Sequence, residues 1–132
     1  MLRGKRITMT AVALCGALLV TAAASPACAE RDPKSTLRIV LAVKQGETKA
    51  VTLTCDRAGG DHPAPRAACR LLRQVNGDPA ALNVTPGAVC TRELRPHAVV
   101  VAGMWRGEPV SFGRVYANAC LVHAAGGAVF AL

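Results

Sequence analysis

Four cysteines in the body of the chain constrain its fold more than any other residues: Cys55, Cys69, Cys90 and Cys120. They follow an N-terminal segment typical of exported proteins, and an even number of thiols in a small exported domain indicates disulfide bonds. Four cysteines allow three pairings, and the spacing leaves all three open. We expect Cys55 to pair with Cys69 and Cys90 with Cys120, because each bridge then closes a moderate loop around turn-rich sequence.

Residues 1–29 have the pattern of a secretory signal peptide. Three basic residues among the first six precede a long, almost wholly apolar stretch, and Ala27-Cys28-Ala29 supplies a small-x-small cleavage motif. Two other starts stay open, a cut after Ala24 and a lipid-modified Cys28, although the aliphatic residue usual three positions before such a cysteine is absent. We therefore expect a secreted, extracellular protein with one domain, residues 30–132, and no membrane contact in its mature form.

The charge of the exported part bears on its partners. Three of the 16 basic residues and none of the 8 acidic ones lie before residue 30, which leaves a formal net charge of +5. Arg66, Arg70 and Arg73 recur at helical spacing, a pattern compatible with an anionic partner or with a solvated helix face. None of the four large aromatic residues is interleaved with these arginines, so a solvated face is favoured and no nucleic acid is expected.

Alternating apolar residues predict strands at the start of the mature chain. In residues 37–43 every second side chain is apolar and shares a face, and the run that ends at Cys55 alternates in the same way. Residues 44–47 lie between the two runs, so a hairpin is expected. Residues 56–65 contain two glycines and two prolines and predict a loop, with Pro65 placed to begin a helix.

That helix is expected to end at Asn76-Gly77. The residues predicted for its buried side are Ala68, Cys69, Leu71, Leu72 and Val75. Asp78-Pro79 then predicts a single helical turn, and residues 83–88 predict a loop.

The remaining sequence predicts a second hairpin and a second helix. Residues 97–105 and 110–116 alternate as two antiparallel strands joined by a turn at residues 106–109. Within them Gly103 is a candidate β-bulge. A short helix is expected at residues 118–125 and a last strand at residues 128–132. Together these elements indicate an α+β domain with an antiparallel sheet.

The chain offers no set of catalytic residues. Ser35 and Ser111 are the only serines of the mature chain, and neither lies in a G-x-S-x-G turn. His62 stands beside a proline in a glycine-rich loop, which is more typical of a turn or surface residue than of a general base. A metal site would need the thiols together with His62, His97 or His123, yet the chain has no C-x-x-C and no H-x-x-x-H pair. We expect no enzyme activity, no cofactor and no metal.

The segment Val89-Cys90-Thr91-Arg92-Glu93-Leu94-Arg95-Pro96 is the candidate functional segment. A cysteine two residues before an arginine lets a disulfide hold that arginine on a stiff loop, and a proline stiffens the other end. A substrate-like segment inhibits a protease when it is already held in the bound conformation, because docking then costs little ordering entropy. On composition alone Arg92 would be an ordinary surface charge.

A series of short motifs occurs in a fixed order between residues 52 and 131. They are Thr52-Leu53-Thr54-Cys55, Gly59-Gly60-Asp61-His62-Pro63, Ala68-Cys69, Gly77-Asp78-Pro79, Cys90-Thr91-Arg92-Glu93, Trp105-Arg106-Gly107, Asn118-Ala119-Cys120 and Val129-Phe130-Ala131. With the four cysteines in register, this series resembles the Streptomyces subtilisin inhibitor family of secreted serine-protease inhibitors. The resemblance extends over residues 37–132.

The resemblance implies a five-stranded antiparallel sheet with two helices, usually in a homodimer packed through the sheet. It also implies the sequential disulfide pairing. It places the reactive bond between Arg92 and Glu93, since the second residue after the third cysteine fills the primary pocket of the protease in this family. The other protease contacts that it implies are Cys90, Thr91 and Leu94. Asn118 is expected to support the loop by hydrogen bonds, with an ordinary turn residue as the alternative.

Arg92 indicates the kind of protease. A guanidinium can pair in bidentate fashion with an aspartate at the base of a trypsin-like pocket. Subtilisin-like pockets are broader and can accept the aliphatic stem of the same side chain, so both classes are expected targets. Leu94 and Arg95 stand where the family commonly has an aromatic residue and an acid, and both positions bear on the range of proteases inhibited.

Two interpretations from other classes stay open. One is a secreted binding module on the same scaffold that does not inhibit, indicated if Arg92→Ala leaves the biological effect intact. The other is a basic protein acting on anionic cell envelopes, whose activity would fall strongly with added salt. The positive charge is spread along a disulfide-bonded domain and not gathered in one run, which favours the inhibitor interpretation.

Overall fold

The computed structural model describes residues 34–132. The signal peptide, its cleavage site and the domain boundary at residue 30 lie outside the described residues and stay predictions. The described part contains one antiparallel sheet of five strands in the order β3-β2-β1-β4-β5. The strands are β1 (Thr36–Val43), β2 (Thr48–Thr54), β3 (Gly59–Gly60), β4 (His97–Trp105) and β5 (Glu108–Tyr116). The α+β class and the five-stranded sheet are confirmed.

Both predicted hairpins form, with a shorter second turn than expected. The turn between β4 and β5 contains only Arg106 and Gly107, at φ values of 48° and 83°. Two successive left-handed residues twist the chain in the sense of the flanking strands, so a two-residue connection suffices. The predicted turn at residues 106–109 was therefore too long. Pro109 lies within β5, an edge strand, where a missing backbone N–H is tolerated.

Gly103 is not a bulge. The pairing of β4 with β1 and with β5 runs without interruption through this residue. Its φ is 148°, and a Cβ atom there would lie 2.1 Å from the carbonyl oxygen of Thr36. Glycine is required at this position because β1 approaches the backbone of β4 too closely for a side chain.

The predicted strand at residues 128–132 is wrong. Gly127–Phe130 forms a short 3-10 helix that places Val129 and Phe130 in the core. The fifth strand is instead Gly59–Gly60, inside the segment expected to be loop, where it pairs with the end of β2. A two-glycine strand has no side-chain alternation, so the sequence carries no periodic pattern that could reveal it.

Two helices and the C-terminal turn cover one face of the sheet. Helix α1 spans Pro65–Gln74 and helix α2 spans Ala119–Gly126. A 3-10 turn at Pro79–Ala81 follows α1, as the sequence predicted. The core between the sheet and these elements is formed by Leu37, Ile39, Leu53, Val99 and Val101 of the sheet and by Ala68, Cys69, Leu72, Val122, Val129 and Phe130 of the covering layer. Of the side predicted for α1, Leu71 and Val75 are only half-buried.

The end of α1 is fixed by close packing. Asn76 and Gly77 adopt left-handed backbone conformations with φ values of 52° and 76°. A Cβ on Gly77 would lie 2.0 Å from the ring of Trp105. The indole therefore packs directly on the backbone where the helix ends, which explains why glycine stands there.

The structure confirms the sequential disulfide pairing. Cys55 bonds to Cys69, 14 residues later, with a Cα–Cα distance of 5.4 Å. Cys90 bonds to Cys120, 30 residues later, with a Cα–Cα distance of 5.7 Å. The first bridge is buried and the second is partly exposed. All four thiols that a metal site would have needed are thereby used.

Candidate functional site

The candidate site is the irregular segment that precedes β4. From Ala88 to Pro96 the chain forms neither helix nor strand, and every side chain from Thr91 to Arg95 is exposed. Val89 is 98% exposed and Leu94 is 79% exposed, the two highest values among the large hydrophobic residues exposed in the described part. Two large apolar side chains that are mostly open to solvent therefore lie in one irregular segment. We call residues 89–96 the binding loop.

Helix α2 supports the approach to the binding loop at two places. The disulfide ties Cys90 to Cys120 in the first turn of α2. At the other end of the helix, the carbonyl oxygens of Ala124 and Ala125 accept hydrogen bonds from the backbone N–H groups of Thr85 and Val84, at 2.9 and 3.1 Å. The chain leading into the binding loop is therefore fixed to a regular element along its length.

Asn118 connects the helix to the centre of the binding loop. This side chain is 4% exposed, and its Oδ1 caps α2 by accepting the N–H of Leu121 at 3.0 Å. Its Nδ2 donates to the carbonyl oxygens of Thr91 at 3.0 Å and of Glu93 at 2.9 Å. One amide therefore holds the backbone on both sides of Arg92, whose own side chain points to no partner among residues 34–132. The structure shows hydrogen bonds of the kind expected for Asn118, together with a capping role that the sequence analysis did not assign.

The C-terminal half of the binding loop rests on two neighbouring segments. The N–H of Arg95 donates to the carbonyl oxygen of Ala117 at 2.8 Å, and the N–H of Lys44, in the turn between β1 and β2, donates to the carbonyl oxygen of Pro96 at 2.9 Å. His97 Nδ1 lies 2.6 Å from the carbonyl oxygen of Arg95. From the sequence His97 was expected to begin a strand and was weighed as a metal ligand, because nothing in the sequence relates its ring to the loop two residues before it.

His62 is a turn residue but not a surface residue. It is 4% exposed, its Nδ1 accepts the N–H of Ala64 at 3.0 Å, and its Nε2 lies 3.1 Å from the carbonyl oxygen of Val129. Since Nδ1 accepts a hydrogen bond, Nε2 carries the proton and donates it. The ring thus joins the start of α1 to the C-terminal turn.

The other chemically suggestive residues have structural roles or none. The hydroxyl of Ser35, which is 3% exposed, accepts the N–H of Arg106 at 2.9 Å. Arg73 donates from Nη2 to the carbonyl oxygen of Cys55 at 3.0 Å, while Arg66 and Arg70 are exposed on α1. In residues 34–132 there is no group of three or more His, Cys, Asp or Glu side chains placed to hold a metal. No helix of this part is long and apolar enough to cross a membrane.

A second exposed feature is the outer face of the sheet. Val100, Met104 and Val115 point away from the helices and are 45%, 40% and 67% exposed. Val115 lies opposite Ala98 across the β4–β5 ladder, so the apolar surface is continuous between the strands. We call this surface the outer sheet face.

The known proteins that are similar in sequence to this chain are protease inhibitors. A family model described as subtilisin inhibitor-like matches residues 34–118. A subtilase-type protease inhibitor of Streptomyces coelicolor is 42% identical over 130 residues, which cover 92% of this chain and 90% of that protein. Trypsin inhibitor STI2 of Streptomyces longisporus is 38% identical over 133 residues, which cover 95% of this chain and 92% of that protein.

A solved structure is similar as well. Sermetstatin of Streptomyces caespitosus, in its crystal structure with subtilisin of Bacillus licheniformis, is 31% identical and superimposes with a TM-score of 0.55. The match covers 74% of this chain and 100% of sermetstatin. The two Streptomyces relatives are inhibitors by name, not enzymes, in agreement with the expectation from the sequence. The chain belongs to the subtilisin inhibitor-like family.

Proposed function

We propose that this protein is a secreted inhibitor of serine proteases and that the bond between Arg92 and Glu93 is its reactive bond. The observation that carries the proposal is the Asn118 amide, which donates to the carbonyl oxygens of Thr91 and Glu93 while the Arg92 side chain stays exposed. The carbonyl groups on both sides of the proposed reactive bond are thus held by one side chain. In such a loop the exposed side chain resembles that of a substrate, while the backbone is held in one conformation.

The rigidity explains inhibition in place of digestion. After the catalytic serine attacks the carbonyl carbon of Arg92, an acyl-enzyme forms and the amine of Glu93 leaves. The hydrogen bond from Asn118 to Glu93 keeps this amine near the ester, and the disulfide at Cys90 holds the acyl side. The amine therefore re-forms the peptide bond faster than water hydrolyses the ester. Little conformational entropy is lost on docking, since the loop is already ordered in the free protein.

The side chain of Arg92 supports trypsin-like targets. A guanidinium that meets an aspartate in a water-excluded pocket makes a bidentate, charge-assisted pair. The trypsin inhibitor of Streptomyces longisporus, 38% identical to this chain, supports this class of partner. The structural similarity to an inhibitor bound to subtilisin supports the second class, in which the aliphatic stem of Arg92 would fill the pocket.

Neighbouring side chains complete the proposed contact surface. Cys90 and Thr91 precede Arg92, and Leu94 follows the reactive bond with 79% of its surface exposed. An interface of this kind buries about 1,600 Å² in total. Leu94 and Val89 would supply apolar contact on the two sides of Arg92.

We also propose that two copies of the protein associate through the outer sheet face. The exposed side chains of Val100, Met104 and Val115 would lose their water contact in such a homodimer. Val115→Lys is expected to give a monomer in sedimentation equilibrium, whereas Val89→Lys, which changes a more exposed valine outside this face, should stay dimeric. A dimer that persists in Val115→Lys would contradict the proposed interface.

The reactive residue is tested by titrating trypsin and subtilisin with the oxidised protein, with Arg92→Ala and with Arg70→Ala. The expected result is near-stoichiometric loss of trypsin activity with the parent protein and with Arg70→Ala, which removes an exposed arginine from α1. Arg92→Ala should weaken trypsin inhibition by more than about 100-fold, since a buried bidentate charge pair is lost. Inhibition of subtilisin should weaken less. Rapid cleavage after Arg92 without inhibition would overturn the proposal and leave a binding module on the same scaffold.

A further inference from the structure

A second side chain holds the binding loop on the opposite side of the reactive bond from Cys90. His97, the first residue of β4, is 8% exposed and lies 2.6 Å through Nδ1 from the carbonyl oxygen of Arg95. The N–H of the same Arg95 is bonded to the carbonyl oxygen of Ala117. Both backbone groups of Arg95 are therefore engaged, three residues after Arg92.

The direction of this hydrogen bond follows from its partner. A carbonyl oxygen only accepts, so Nδ1 of His97 carries a proton and donates it. This donor is present in the neutral Nδ1–H tautomer and equally in the doubly protonated ring, so the contact does not depend on the charge of the imidazole.

The position of His97 is unusual for a polar residue. It is paired with Val43 of β1 and Tyr116 of β5, and it continues the buried face of β4 that includes Val99 and Val101. An aliphatic side chain would satisfy this face of the strand, because the neighbours on it are branched and apolar. What the imidazole adds is one directed donor, aimed at the binding loop.

We propose that His97 is a positioning residue that holds the leaving segment of the reactive bond, an inference that rests on the proposed function. Cleavage between Arg92 and Glu93 would free the segment from Glu93 to Pro96, which is held by hydrogen bonds at Glu93, Arg95 and Pro96. Asn118 holds its first residue and His97 holds its third. Each contact limits the motion of the segment separately, so loss of His97 leaves the new amine less tightly positioned near the acyl-enzyme even when Asn118 is intact.

Three substitutions of His97 separate the donor from the shape of the ring. His97→Val removes the donor and keeps a branched strand residue. In His97→Asn the amide nitrogen is attached to Cγ, as Nδ1 is in histidine, so a donor stays near the Arg95 carbonyl oxygen. His97→Gln carries its amide one bond further out and should not reach it.

His123→Ala is the matched control. His123 lines the same cavity of about 320 Å³ as His97, beside Phe130. Within residues 34–132 its ring makes no hydrogen bond to the binding loop, so its removal perturbs the cavity and leaves the loop untouched.

Two measurements are made on all five proteins. Amide hydrogen exchange of Leu94 and Arg95 in the free inhibitor reports loop order without any protease. The second measurement is the lifetime of the subtilisin complex before the reactive bond is hydrolysed. We expect roughly three- to tenfold faster exchange and a similarly shortened lifetime in His97→Val and His97→Gln, the effect of one net hydrogen bond. His97→Asn and His123→Ala should resemble the parent protein.

The outcomes separate this inference from the proposed function. If the parent protein inhibits subtilisin but exchange and lifetime are unchanged in His97→Val and His97→Gln, the role of His97 is overturned and the inhibitor function stands. If the parent protein fails to inhibit, the proposed function is overturned, and the role of His97 in inhibition with it. Should His97→Val fail to fold, the comparison of Asn with Gln decides, since both carry an amide and only that of Asn reaches the carbonyl oxygen of Arg95.

Discussion

The two disulfides lie in regions that differ in burial and in regular structure. Cys55–Cys69 joins the end of β2 to α1 inside the core, where both cysteines are at most 5% exposed. Cys90–Cys120 joins the irregular binding loop to α2 at a partly exposed position. The first region would be brought together by apolar burial in any case, because Leu53, Ala68 and Leu72 pack around it. The second has little apolar packing, so the bridge and a few hydrogen bonds define where the loop lies.

Under the proposed function, this difference assigns stability mainly to one region and inhibition mainly to the other. The region of the buried bridge contributes area removed from water, which stabilises the whole domain. The binding loop contributes little buried area and is ordered by the disulfide, by two hydrogen bonds from Asn118 and by one from His97. Side-chain changes in the first region should therefore lower the free energy of unfolding, whereas changes in the second, apart from loss of its disulfide, should mainly alter the complex with a protease.

The largest expected effect comes from removing each bridge as a pair of alanines. From loop length alone, Cys55→Ala with Cys69→Ala should lower the free energy of unfolding by about 3 kcal/mol, and Cys90→Ala with Cys120→Ala by about 4 kcal/mol. Inhibition measured on the folded fraction should differ far more. It should persist without the buried bridge and fall by more than about 100-fold without the loop bridge, since the loop then loses the preorganisation on which affinity depends.

Denaturant unfolding and trypsin titration at low temperature measure the two quantities. Equal loss of inhibition in both double variants, relative to their folded fractions, would contradict the division between the regions. Single cysteine substitutions are unsuitable here, because the remaining free thiol can form bridges between molecules.

Asn118 allows a finer test, because its two ends serve different regions. Asn118→Asp keeps an oxygen that caps α2 but loses the two N–H donors to the binding loop, and aspartate is as good a cap as asparagine. Asn118→Ala loses both. We expect inhibition to weaken by roughly 30- to 100-fold in each variant, the effect of about two net hydrogen bonds.

The free energy of unfolding should distinguish the two Asn118 variants. The alanine variant should be less stable than the aspartate variant by about 1 kcal/mol, the typical contribution of a helix cap. Thermal unfolding followed by circular dichroism measures this difference. Retained inhibition in Asn118→Asp would show that the donors do not hold the loop.

In the core region, a substitution of His62 should lower stability without changing inhibition. His62→Phe keeps a ring in the buried site but leaves the N–H of Ala64 and the carbonyl oxygen of Val129 without their partner. The expected loss is about 2 kcal/mol of unfolding free energy, from buried polar groups left unpaired. Inhibition of subtilisin at 25 °C should be unchanged. A tenfold weaker inhibition in this variant would mean that a change at the C-terminal turn alters the binding loop.

The same contrast governs what the sequence could predict. The hairpins, the start of α1 at Pro65 and its end at Asn76-Gly77 are marked by local residues, and all three are confirmed. The features that were wrong depend on a distant partner. Gly103 resembles a bulge until β1 is seen against it, and residues 128–132, expected as a strand, include the end of a 3-10 turn from which Phe130 fills the core.

The candidate site was predictable only in part. The position of Arg92 after Cys90 and the resemblance of the surrounding motifs indicated the binding loop and the support by Asn118. The contact from His97 was not predictable, because a histidine that begins a strand has the same sequence pattern whether its ring meets solvent, a metal or a carbonyl oxygen. Its role depends on the path of the chain between Arg92 and β4, which no local rule specifies.

The smallest expected effect is at Leu94. It tests most directly whether the binding loop affects inhibition without affecting stability. This side chain is 79% exposed and contributes nothing to the core, so Leu94→Ala should change the free energy of unfolding by less than about 0.5 kcal/mol. Subtilisin inhibition should nevertheless weaken by roughly three- to tenfold, because the leucine loses its water contact only when the protease is bound.

Leu121→Ala is the control for Leu94→Ala, since Leu121 lies on α2 beside the binding loop and is 37% exposed. We expect the opposite result for Leu121→Ala, a measurable loss of stability with unchanged inhibition. Inhibition constants and denaturant midpoints for the two variants are sufficient to decide. If Leu94→Ala inhibits like the parent protein, the protease does not reach the second residue beyond the reactive bond, and the contact surface would have to lie on the Val89 side of Arg92.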